Sequence, residues 1–223
     1  MKKEFDKEIL KATPLFRGME TEGMEKILNC LGAKCKSYKK GALIYSAGDE
    51  IDSMGVVIEG GVTIENDDIW GNKTILEHVG RGQVFGESYA CLPGEPMLVS
   101  VAATEDAVIL FLNVGKVLNV CGNGCRYHSL LVRNLLSVAA AKNVTMSRRI
   151  FYTSAKTIRG RLLSYLSDQA LRQGSNRIRI PFDRQQLADY LGVDRSALSH
   201  ELGKMQKEGL LEVKKNQFFL MES

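Results

Sequence analysis

The apolar positions of this chain change period along its length. Up to residue 35 they recur at helical spacing, with Phe5, Ile9 and Leu10 in one group and Met24, Ile27, Leu28 and Leu31 in another. Pro14 and Gly18 cut that stretch into short pieces. Residues 36–112 switch to short β-branched runs: Ala42–Ile44, Val56–Ile58, Val62–Ile64, Thr74–Leu76, Val99–Val101 and Val108–Leu112, with glycines between them from Gly41 to Gly86. Short strands separated by such turn signals predict an antiparallel sandwich or barrel, with Asn66–Asn72 as a hairpin tip.

From His128 the period is helical again. Leu131, Leu135, Val138, Ala141 or Lys142, and Thr145 form one stripe, and Ala139–Ala141 favour helix. Two readings are open for this long helix. A narrow stripe between two domains fits a two-stranded dimer seam; the alternative is a helix packed on its own β-domain. The seam is favoured if the chain binds paired DNA half-sites. Residues 150–155 read as a hinge, and Ile158, Leu162, Leu163, Tyr165 and Leu166 as a further amphipathic helix. Arg177–Phe182 alternates and reads as a strand.

Asp183–Leu211 carries the clearest functional pattern. Ala188 stands where two helices must approach closely, and Gly192, four residues on, where the chain must turn sharply. Leu187, Leu191, Val193, Leu198 and Leu202 supply the apolar faces. This is the spacing of a helix-turn-helix, whose second helix enters the major groove of DNA. Leu210–Val213 and Phe218–Met221 flank Lys214-Lys215-Asn216 and add a two-stranded wing.

Charge agrees in direction. Residues 151–223 hold 12 Lys/Arg against 8 Asp/Glu, and residues 1–150 hold 18 of each, so the whole excess of +4 lies in the segment with the helix-turn-helix. No apolar run reaches the roughly 20 residues of a membrane span, and the charged N-terminus lacks a secretory core. A cytoplasmic protein without membrane partners is expected. Five cysteines at irregular spacing argue against a disulfide framework. No nucleophile–base constellation, metal box or phosphate loop is present, and Gly82–Gly86 lacks the spacing and lysine of a P-loop, so no catalytic or metal residue is assigned and an enzyme is not expected.

The order of helix, glycine-punctuated β-roll, long helix and winged helix-turn-helix resembles the cyclic-AMP receptor/fumarate-nitrate regulator (Crp/Fnr) family of bacterial transcription factors. The resemblance rests on Gly48-Asp49-Glu50, Val57–Val62 (VIEGGV), Gly82–Glu87 (GQVFGE) and Val101–Asp106 (VAATED), in order ahead of the helix-turn-helix. It implies an α+β chain: residues 1–115 an effector-sensing β-roll (an antiparallel jelly roll, cyclic-nucleotide-binding-like), 116–152 a linker and long dimerisation helix with Leu131, Leu135, Val138 and Thr145 on the seam, and 153–223 the DNA-binding domain. It also implies a homodimer on near-palindromic, double-stranded promoter DNA, with RNA polymerase as a partner if the protein activates.

In cyclic-nucleotide-binding members a Gly-Glu pair meets the ribose, and an Arg-Ser or Arg-Thr about ten residues later clamps the phosphate. Here Gly86, Glu87 and Ser88 fit the first part, while Met97 and Leu98 align with the second. A buried phosphate needs charge-assisted donors, which neither side chain supplies, so cyclic AMP is disfavoured. These five residues remain the effector-pocket candidates, either filled by side chains or suited to an apolar ligand, and Glu87 is read equally well as a residue that bonds turn amides. The residues specify no cofactor and leave the effector an unidentified small molecule. An alternative is a redox or metal role for Cys121 and Cys125, in a glycine-rich loop; their spacing and that of Cys30 and Cys35 match no strong cluster pattern.

For DNA, Asp194 caps a recognition helix that runs to about Lys207, with Leu198, Leu202 and Met205 inward. Arg195, Ser196, Ser199 and His200 face outward, where the family reads bases. Family members typically place glutamate and arginine at the positions of Ser196 and His200, so the operator here should differ. Glu201 occupies a position that is usually apolar. Arg184 and Gln185 open the first helix, whose N-terminus favours phosphate, and Lys214 and Lys215 on the wing add salt-sensitive attraction.

Overall fold

The computed structural model describes residues 7–67, 73–119 and 126–221. Contacts divide the chain into two compact units, residues 1–140 and 141–223. The division falls within one long helix rather than leaving that helix as a segment of its own.

The first unit opens with α1 (Lys7–Ala12), a short 3-10 turn at Pro14–Phe16, and α2 (Thr21–Leu31). Two four-stranded antiparallel sheets follow. One has the order β1 (Lys34–Tyr38), β8 (Ala107–Asn113), β3 (Ser53–Glu59), β6 (Val84–Phe85); the other has β2 (Leu43–Tyr45), β7 (Ser100–Ala103), β4 (Val62–Asp67), β5 (Lys73–Val79). β4 and β5 pair as a hairpin with Asp67 opposite Lys73. Most of its expected tip, residues 68–72, lies outside the described residues. Short helices α3 (Glu87–Ala90) and α4 (Val114–Leu118) follow β6 and β8.

β3 and β8 are buried on both faces, which explains their nearly unbroken apolar runs. Their alternation sorts side chains into two cores. Met54, Val56, Ile58, Leu110 and Leu112 pack against α1, the 3-10 turn and α2 through Leu10, Leu15, Phe16, Ile27 and Leu31. Val57, Ala107 and Ile109 face the other way, into the interior between the sheets, with Val62, Phe85, Met97, Val101 and Ala103. β1 was not expected. Its sequence KCKSY is polar and follows the helical stretch, yet it pairs along its whole length with β8.

α5 (Arg126–Thr153) is one continuous helix of 28 residues. It corrects two expectations. Leu131 and Leu135 are not seam residues: both are buried in the first unit's core, with Val138 packed partly against it. Asn134 on the same face donates to the carbonyls of Leu15 and Arg17. Of Leu131, Leu135, Val138 and Thr145 only Thr145 is exposed, and its hydroxyl bonds back to the Ala141 carbonyl. The expected hinge at 150–155 is also too long. Ile150–Thr153 are helical, and Tyr152 is a buried core residue.

The second unit contains α6 (Ile158–Gln173), β9 (Arg177–Arg179), α7 (Arg184–Leu191), α8 (Arg195–Lys207), β10 (Leu211–Lys214) and β11 (Gln217–Leu220). The strands form a small antiparallel sheet in the order β10-β11-β9. Leu162, Tyr165, Leu166, Leu187, Leu191, Leu198, Leu202, Met205 and Phe218 build the core, with Tyr165 stacked edge-on against Tyr152 and Tyr190. Leu163, expected on the apolar face of α6, is exposed.

Gly55 in β3 marks the tightest approach in the β-roll: a Cβ there would stand 2.2–2.8 Å from three ring atoms of the buried Phe85. Gly55→Ala is therefore expected to destabilise the first unit by about 1–3 kcal/mol through overpacking. Urea unfolding measures this, and an unchanged midpoint would contradict the packing described.

Candidate nucleic-acid interface and effector site

The helix-turn-helix is fixed by local chemistry at each joint. Asp183 and Gln186 form a reciprocal capping box at the start of α7: the Gln186 amide donates to Asp183 Oδ1 at 2.8 Å and the Asp183 amide to Gln186 Oε1 at 2.9 Å. Gly192 ends α7 in the left-handed region, at φ 63°, where a Cβ is costly. Asp194 then starts α8, its Oδ1 accepting from the Ala197 amide at 2.9 Å and from the Ser196 hydroxyl at 2.5 Å. These two donors hold the Asp194 carboxyl below its ordinary range.

Two arginines tie down the carbonyl end of α7. Arg161 donates from Nη1 to the carbonyls of Leu191 and Gly192, each at 2.9 Å, and from Nε to Ala155. Arg149, on α5, donates to the carbonyls of Asp189 and Tyr190 and lies 5.5 Å from the Tyr190 ring centre. Cations at a helix C-terminus satisfy its free carbonyls and complement its dipole. Neither arginine was singled out in the sequence, where each reads only as a polar helical position.

Leu198, Leu202 and Met205 are buried and Arg195, Ser196, Ser199 and His200 are exposed, as the helical spacing predicts. The Ser196 hydroxyl is already engaged by Asp194, which leaves Arg195, Ser199 and His200 as the freer side chains on the first turns of α8. Glu201 has a structural reason: it accepts from Arg159 Nε at 2.6 Å, while the other nitrogens of Arg159 grip Glu208 at 2.7 and 2.8 Å. Leu202 beside it takes the core position.

Arg184 lies half-buried over the Phe218 ring, 5.9 Å from its centre, and burial pulls its pKa down, although arginine stays charged at neutral pH. Gln185 is exposed but bonded to Asp189 within its own helix. Lys214 and Lys215 are exposed at the wing turn, with Lys215 in the left-handed region at φ 56°. Asn216 anchors that turn, donating from Nδ2 to the Ile180 carbonyl and accepting from the Ile180 amide.

The effector-pocket candidates do not converge. Glu87 is buried at the start of α3, which Gly86 caps. Met97 is 3% exposed and fills the interior between the sheets, whereas Leu98 is 72% exposed and Ser88 also faces solvent. Of the two positions expected to clamp a phosphate, one is thus packed in the core and the other lies in solvent. Arg81 donates to the Ile58 carbonyl. Cys30, Cys35 and Cys91 are not joined in disulfides, and Cys30 Sγ lies 4.0 Å from Nε2 of the buried His128. Cys121 and Cys125 lie outside the described residues. Among the described residues no helix is long and apolar enough to cross a membrane, and no group of three or more potential ligands is placed to hold a metal ion.

Comparison with known proteins meets this geometry at both ends. A family model described as a cyclic nucleotide-binding domain matches residues 35–123, and one described as a Crp-like helix-turn-helix domain matches residues 160–221. The chain belongs to the Crp/Fnr family of transcription regulators. This is a family of DNA-binding regulators, not of enzymes. Among similar proteins are the nitrogen fixation regulation protein FixK of Rhizobium meliloti, 25% identical over 80% of this chain and 78% of its own, and the cyclic AMP receptor protein of Thermus thermophilus, 26% identical over 92% and 90%. The solved structure of CprK complexed with OCPA has the same fold, at TM-score 0.67 and 19% identity, over 89% of this chain and 92% of that one.

The Arg161 clamp yields a direct test. Arg161→Ala removes charge-assisted bonds to three carbonyls and should destabilise the second unit by about 2 kcal/mol. Urea unfolding followed by the tyrosine signal would show it, and a wild-type midpoint would contradict the clamp.

Proposed function

We propose that this Crp/Fnr regulator acts in the cytoplasm as a homodimer on promoter DNA, with α8 of each copy reading one half-site. A small-molecule or redox signal received by the β-roll unit controls it, and contact with RNA polymerase follows where it activates. The observation that carries the reading is the first turn of α8: Arg195, Ser199 and His200 stand exposed on a helix whose other face is locked into a core. Arginine paired with guanine O6 and N7 is the commonest specific base contact. Arg184 at the start of α7 and the wing lysines Lys214 and Lys215 supply phosphate contacts.

The seam of the proposed dimer is shifted from the expected one. Leu136, Met146 and Ile150 are 69, 65 and 66% exposed on α5, along a side that adjoins that of the buried Leu131 and Leu135. An apolar stripe of this kind on a long helix is suited to a second copy of the same helix. On the effector side, the burial of Met97 supports a signal other than cyclic AMP, because a phosphate has no cationic partner there. A thiol-based signal is the second reading, favoured by the exposed Cys30 beside buried His128 at the wall of a cavity of about 500 Å³.

Fluorescence anisotropy with fragments of the protein's own upstream region tests the DNA reading. Affinity should fall steeply as salt rises, and Arg195→Ala should cost about 1–3 kcal/mol and relax base preference. Unchanged affinity and preference in that variant would contradict the role of Arg195. Leu136→Asp should convert the dimer to monomers in sedimentation analysis without loss of helical signal; a variant that still sediments as a dimer would contradict the seam.

A further inference from the structure

A seven-residue frame laid on α5 places Leu136, Asn143 and Ile150 at equivalent positions, with Ala139 and Met146 at the alternate ones. All but the half-buried Ala139 are exposed. One polar residue therefore interrupts an otherwise apolar stripe, one heptad from a leucine on one side and an isoleucine on the other. We propose that Asn143 pairs with its own counterpart across the dimer seam and restricts α5 to a parallel, in-register pairing; this rests on the dimer reading above.

The argument is one of hydrogen-bond satisfaction. An asparagine amide has both donors and an acceptor, and pairing of α5 with a second copy would take it out of water. In a parallel, in-register pair each Asn143 meets the other, and the carbonyl of one accepts from the amide nitrogen of its mate. A slip of one heptad sets Asn143 against Leu136 or Ile150, and an antiparallel pair sets it against Ala139 or Met146. None of these replaces the lost water, and a buried polar group without a partner is costly. The flanking positions do not oppose the in-register pair: Leu135 is held in its own unit's core, and Lys142 would face Ser147, so no like charges meet there. A single polar residue at such a position specifies register and strand number at a cost in stability. In-register pairing makes the two DNA-reading heads equivalent about one axis, as a palindromic site requires.

Sedimentation equilibrium of the full chain tests the proposal with wild type, Asn143→Leu, Asn143→Asp, Thr145→Asp and Leu136→Asp, each checked for wild-type helical signal. Asn143 is exposed in the single chain, so these substitutions leave both cores intact. Asn143→Leu should tighten self-association at least tenfold and admit species larger than a dimer. Asn143→Asp should weaken it at least tenfold at pH 7.5 and recover it as the pH falls toward about 4, where carboxylates protonate; Thr145→Asp, off the seam, should do neither. If the wild type is dimeric and Leu136→Asp dissociates it, yet both Asn143 variants associate as the wild type does, the Asn143 proposal is overturned and the dimer stands. A monomeric wild type overturns both.

Discussion

The two-sided burial of β3 and β8 is the constraint on which the first unit depends. Because successive side chains of a strand point to opposite faces, two strands that are apolar throughout must be covered twice. One side receives the second sheet, and Val57, Ile109, Phe85 and Met97 fill the space between. The other receives the N-terminal helices and the first turns of α5, with Leu131 and Leu135 in the same core as Met54 and Leu110. Met97 is drawn into the core between the sheets, and Leu131 and Leu135 of α5 are buried within the first unit.

In the second unit the equivalent constraint is the turn between α7 and α8. It is held at every joint by neutralised backbone: a capping box before α7, a left-handed glycine and the Arg161 and Arg149 donors after it, and the Asp194 cap before α8. A recognition helix supported in this way presents its first turn with little freedom to reorient, which is what base reading requires. The Arg159–Glu201–Glu208 cluster adds a lateral tie between α6 and α8. Ser196 and His200, the positions that depart from the family's expected residues, sit on a helix held by its cap and by this cluster.

Much of this was legible in the sequence where structure is set locally. Asp183, Ala188, Gly192 and Asp194 announce the helix-turn-helix because caps and turns depend on residues within a few positions. The strands of the β-roll showed as β-branched runs between glycines. Legibility failed where the deciding partner is distant. The polar KCKSY of β1 becomes a strand only because β8 offers an edge. The run Ile150–Tyr152 read as a hinge, whereas Tyr152 is held by Tyr165 and by the Asp168 carboxylate, which its hydroxyl bonds at 2.6 Å. On α5 two apolar stripes share one helix, and periodicity cannot say which faces the chain's own core. The effector site was the least legible, because the two halves of its expected motif lie in different environments, Met97 buried and Leu98 exposed.

Hydroxyl-radical footprinting of DNA selected by the full-length protein tests the central claim most directly. The account predicts a two-fold symmetric protection pattern, with half-site centres one helical turn apart, about 10–10.5 base pairs, or a multiple of it. A single unpaired half-site, or protection without symmetry, would contradict a dimer that reads DNA with two equivalent copies of α8.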